Sequence, residues 1–88
     1  MRIKDGFIIK QVVDTYVVVP VGENLVDFSA MISLNETGAF LWNNMVSDVT
    51  EDELAEKMCL EYNIDKETAL TDIKDFVATL ERQDILEK

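Results

Sequence analysis

The stretch Ser33-Leu34-Asn35-Glu36-Thr37-Gly38-Ala39-Phe40-Leu41-Trp42 (SLNETGAFLW) is where an extended segment gives way to a helix, and the reading of both flanks depends on it. Just upstream, Phe28, Ala30, Ile32 and Leu34 fall on one face and Asp27, Ser29, Met31 and Ser33 on the other, the period of a half-buried strand. Asn35 offers a side-chain oxygen to an N–H of a first helical turn, and Glu36 puts a negative charge where the helix dipole favours one. A helix is therefore expected from about Glu36. Gly38 costs that helix up to about 1 kcal/mol relative to alanine, so a glycine there points to a packed neighbour that needs the space. Ala39, Phe40, Leu41, Trp42, Met45 and Val46 wrap much of the circumference, which predicts a helix buried between layers.

Working back from the junction, Phe7–Val13 (FIIKQVV) and Tyr16–Val19 (YVVV) are aromatic and β-branched, with Asp14-Thr15 between them as a hairpin turn. Pro20 has no N–H and ends the second strand or sits at its edge, and Gly22 and Asn24 suit a second turn. Working forward, Thr50-Glu51-Asp52-Glu53 reads as a capping box with Val49 stapling to Leu54, followed by a stripe of Leu54, Ala55, Met58, Cys59 and Tyr62. Asp65 caps a third helix whose Ala69, Leu70, Ile73, Phe76, Val77 and Leu80 recur at three and four residues and which ends near Arg82. Ile85 and Leu86 tuck back onto the core. The order is three strands and then three helices, an α+β fold in a single domain over residues 1–88.

The 48% hydrophobic and 30% charged residues fit a folded chain, no apolar run reaches a membrane span, and Met1–Gly6 has no signal-peptide core, so a cytoplasmic protein is expected. Cys59 is the single cysteine and there is no histidine. A thiol nucleophile would lack its usual base, so Cys59 is read as a small buried helix residue, with no metal and no cofactor expected. No phosphate loop, calcium loop or nucleophile elbow is present, and the carboxylate runs suit helix caps and solvated faces; the chain is not expected to be an enzyme. Residues 1–34 carry a net charge of −1, and the remaining −9 of the chain's −10 falls in residues 35–88. Such a surface repels nucleic acid and anionic membranes; it either solvates exposed helices or selects a partner by charge.

Taken in order, LNETGAFLW, the acidic T-x-x-E-L helix start, EYNID, DIKDFVATLE and a terminal DIL resemble the PqqD-like family, named for pyrroloquinoline quinone synthesis protein D, over roughly residues 7–86. Where such chains often have a glycine before the last apolar pair, this one has Gln83-Asp84, a difference confined to the final turn. The resemblance implies a winged-helix-like, non-catalytic module that binds the leader of a ribosomally made precursor peptide as an added strand. It would present that peptide to a modifying enzyme, a radical S-adenosylmethionine enzyme or a protease. By the same resemblance Asp27, Phe28, Ser29, Ala30, Met31, Ile32 and Ser33 supply the strand edge, and Asp72, Ile73, Asp75, Phe76, Thr79 and Leu80 the groove wall. By spacing alone, Ile73, Phe76 and Leu80 are core residues first. Two alternatives remain: a winged helix that binds DNA, against which the acidic residues of helix 65–82 weigh, and a structural module that dimerises through the strand edge.

Overall fold

A computed structural model describes residues 1–21 and 32–87. In chain order the elements are β1 (Arg2–Ile3), β2 (Phe7–Val12), β3 (Thr15–Pro20), β4 (Ile32–Leu34), α1 (Glu36–Asn44), α2 (Glu51–Tyr62), α3 (Lys66–Arg82) and β5 (Leu86–Glu87). β2, β3 and β4 form an antiparallel sheet in that spatial order, and β1 pairs with β5 in a second, two-stranded one. The result is the expected α+β arrangement of a three-stranded antiparallel sheet followed by three helices.

One face of the larger sheet meets the helices. Ile9, Val18, Ile32 and Leu34 pack there against Leu41, Trp42, Met45, Leu54, Met58, Ile73 and Leu80, which together make one apolar core. Ile32 and Leu34 are buried and Ser33 is exposed, as the alternation required; residues 27–31 of the expected strand lie outside the described residues. Helix α1 buries Gly38, Ala39, Leu41 and Trp42, and Phe40 meets Tyr62 of α2 edge-on with ring centroids 5.4 Å apart. The apolar wrap is shorter than expected. The helix ends at Asn44, so Val46 lies beyond it and is exposed, while Cys59 on α2 is half-buried rather than buried.

The hairpin turns at Val13-Asp14, not at Asp14-Thr15. The observed register opposes Ile9 to Val18 on the core-facing side, whereas the expected turn would have brought Gln11 there. The consequence is local: Val13 takes a left-handed φ of 57°, a conformation β-branched residues rarely adopt, with its side chain in solvent. Pro20 closes β3 opposite Phe7, after which Val21 N–H donates to the Gly6 carbonyl at 2.8 Å.

The helix ends follow the chemistry of their residues. The capping box is complete: Glu53 N–H donates to Thr50 Oγ1 at 3.1 Å and Thr50 N–H to Glu53 Oε1 at 3.0 Å. Asp65 accepts from Thr68 N–H at 2.9 Å. Hydrogen bonding from Thr68, side chain first and backbone second, holds the Asp65 carboxyl below its ordinary range. That cap is at full strength above the usual aspartate pKa and is lost as pH falls through the lowered one. At the far end of α3, Asp84 takes φ 57°, its N–H donates to Glu81, and Ile85 N–H donates to Leu80. This is a Schellman ending with the buried pair Leu80 and Ile85 as its apolar contact. Asp84 thus adopts the left-handed turn in which glycine is usual.

Thr50→Ala is expected to cost about 0.5–2 kcal/mol, while Glu87→Ala, which removes only the part-exposed pair with Arg2 at 2.9 Å, stays within about 0.5 kcal/mol of the parent. Equal urea midpoints for the two variants would show that the capping box contributes nothing measurable.

Candidate functional site

Helix α3 carries two stripes. Ala69, Ile73, Val77 and Leu80 point into the core, and Asp72, Asp75, Phe76 and Thr79, spaced at three and four residues, form the stripe beside it. The second stripe is one wall of a groove of about 300 Å³. The facing wall is the start of α1: Asn35, Thr37, Gly38 and Leu41. Asp72 and Asp75 are exposed, Phe76 and Thr79 half-buried, and Leu41 buried, so the groove has an apolar floor and an acidic rim.

Each wall is held by local bonds. Asn35 Oδ1 accepts from Gly38 N–H at 2.8 Å, which fixes the first turn of α1 directly after β4. Thr15 Oγ1 donates to the Leu34 carbonyl at 3.2 Å and ties the end of β4 to β3. On α3, Thr79 Oγ1 donates to the Asp75 carbonyl at 3.1 Å, and Arg82 Nη2 donates to Thr79 Oγ1 at 3.3 Å. Gly38 has a packing reason to lack a side chain: a Cβ there would lie 3.1 Å from Leu34 Cβ and 3.5 Å from Asn35 Oδ1. A second depression of about 480 Å³, lined by Gln11, Asp14, Tyr16, Asn35, Glu36 and Thr37, lies on the hairpin side of the same helical turn. Asn35 and Thr37 belong to both.

Of the residues singled out in the sequence, Asp72, Asp75, Phe76 and Thr79 come together in the groove. Ile73 and Leu80 do not line it; both are fully buried and support the wall from the core side. Ile32 is buried in β4 and Ser33 is exposed, and among the described residues no strand pairs with β4 on the side away from β3. Asp27, Phe28, Ser29, Ala30 and Met31 lie outside the described residues. The α1 side of the groove is not among the site residues singled out in the sequence. Its signal was Gly38, whose lack of a side chain lets the start of α1 pack closely on Leu34 of β4. Among the described residues no group of three His, Cys, Asp or Glu side chains is placed to hold a metal ion, and no helix is long and apolar enough to cross a membrane.

Comparison with known proteins bears on this geometry. Residues 10–86 match the family described as Coenzyme PQQ synthesis protein D (PqqD). No curated protein matches the chain in sequence. Among solved structures, one described as "TbiB1 in Complex with the TbiA(beta) Leader Peptide" has the same fold, with a TM-score of 0.77 and 24% identity over 99% of this chain and 95% of that one.

Proposed function

This chain belongs to the PqqD family, and from that premise we propose that it is a non-catalytic module that binds the leader of a ribosomally made precursor peptide and presents it to a modifying enzyme. The leader adds to β4 as a further strand and lays its side chains in the groove along α3. The observation that carries this reading is the pairing of an unpartnered strand edge, among the described residues, with a groove at the point where that strand ends. An open edge offers N–H and C=O groups for main-chain hydrogen bonds, and adjacent pockets select the side chains that alternate along the incoming strand. A protein of the same fold is known in complex with a leader peptide, which supports the assignment of ligand class. On this reading the partner enzyme is a radical S-adenosylmethionine enzyme or a protease.

Short peptides encoded beside the gene are the first ligands to test, by calorimetry together with backbone hydrogen exchange. The bound peptide is expected to protect alternate amides of β4 and to perturb the exposed stripe of α3. Tight binding with protection confined to Glu51–Tyr62 and none on β4 would place recognition elsewhere and overturn the proposal.

A further inference from the structure

The groove and the depression beside it are lined by charges of one sign. Asp72 and Asp75 line the first, Asp14 and Glu36 the second, and no Lys or Arg lines either. The sequence explains this in part, since no basic residue occurs from Gln11 to Glu56. Three basic side chains pair away from the groove, Arg2 with Asp5 and Glu87, Lys4 with Asp84 and Lys66 with Asp52, and Arg82 reaches its edge only to donate to the Thr79 hydroxyl, not to Asp72 or Asp75. Lys74 leaves α3 outside the stripe that faces the groove. No ion pair among the described residues involves Asp72 or Asp75. An apolar floor with uncompensated carboxylates at its rim is complementary to one kind of occupant.

Building on the reading that the groove takes an extended peptide, we infer that this peptide carries a Lys or Arg seated against Asp72 and Asp75, with an aliphatic or aromatic residue two positions away resting on Phe76 and Leu41. The spacing follows from the two secondary structures. Side chains two apart on a strand share a face and lie about 6.7 Å apart. From Asp72 to Phe76, α3 advances about 6 Å. A strand lying along α3 therefore matches the acidic rim with one side chain and the apolar floor with the next on the same face. A guanidinium or ammonium adds charge-assisted hydrogen bonds to the rim, and the field of the four carboxylates favours basic peptides from the encounter onward.

The test is to pan random linear peptides displayed on phage against the whole protein, and to measure the most enriched peptide against two charge-matched variants. Asp72→Asn with Asp75→Asn removes the rim charges, whereas Glu56→Gln with Glu61→Gln removes the same charge from the exposed face of α2. Enriched peptides are expected to share a Lys or Arg two positions from an apolar residue. Affinity should fall about three- to tenfold for the groove variant and less than about twofold for the control. Hydrogen exchange with the same peptide separates this inference from the reading beneath it. Protection on β4 without a basic preference, or with equal losses in the two variants, overturns the cation seat and leaves peptide binding standing. Absence of protection on β4, or of any enriched peptide, overturns both.

Discussion

Ile73→Ala is expected to lower the free energy of unfolding by about 2–5 kcal/mol, while Asp72→Lys, its immediate neighbour, leaves stability within about 0.5 kcal/mol and weakens peptide binding. The contrast follows from the two stripes of α3. Ile73 has no exposed surface and packs among Leu41, Leu54, Met58 and Leu80, so truncation removes buried apolar area and leaves a cavity. Asp72 is exposed at the rim of the groove, where reversal of charge has little to disturb in the fold and much to disturb in a basic ligand. Urea titrations of both variants, with binding measured far below each midpoint, separate the roles. A folded, nearly unaltered Ile73→Ala variant that fails to bind would mean that Ile73 touches the ligand and that the wall is drawn one residue too far out.

Gly38→Val is expected to destabilise the protein by about 1–3 kcal/mol and to reduce binding as well. Helix propensity alone predicts the opposite sign, since valine is a better helix former than glycine. The packing term wins because the first added carbon would already stand 3.1 Å from Leu34 Cβ, and Leu34 is held in the core on β4, with Thr15 bonded to its carbonyl. The further carbons of valine must displace that contact or enter the groove, which Gly38 itself lines. Gly38→Ala tests the same contact more gently, with propensity and crowding opposed. A higher urea midpoint for Gly38→Val would show that α1 and Leu34 of β4 are not tightly packed there.

Features that rest on a repeated local pattern were legible in the sequence. The apolar stripe of α3, the capping box at Thr50 and Glu53, and the junction at Asn35 each state their geometry through spacing or a capping oxygen, although spacing put Phe76 in the core and it is half-buried in the groove. Features decided by tertiary pairing were not. The hairpin turns where Ile9 can oppose Val18, which local β-propensity does not encode and which leaves Val13 in a conformation its side chain disfavours. β1 and β5 are two residues each, too short to show a period, and exist because distant backbone groups satisfy them. The α3 side of the candidate site came with the family resemblance and not from spacing. The facing wall is built from Asn35, Thr37 and Gly38, whose local duties at a helix start account for them fully until the fold brings α3 alongside.

The small sheet of β1 and β5 has a topological consequence. It sets Arg2 opposite Glu87 and Ile3 opposite Leu86, and neighbouring bonds from Ile3 N–H to the Met45 carbonyl and from Lys4 N–H to the Ile85 carbonyl, each 2.8 Å, anchor it to the body of the domain. A polypeptide passing through this domain therefore enters and leaves at adjacent points. Such a unit can be spliced into a surface loop of a host protein, or appended to either end of one, without stretching its linkers. If it presents a peptide to an enzyme as proposed, tethering the two in that way would give an effective concentration of about a millimolar for a short flexible connection, so that even a weakly held peptide would reach the active site often.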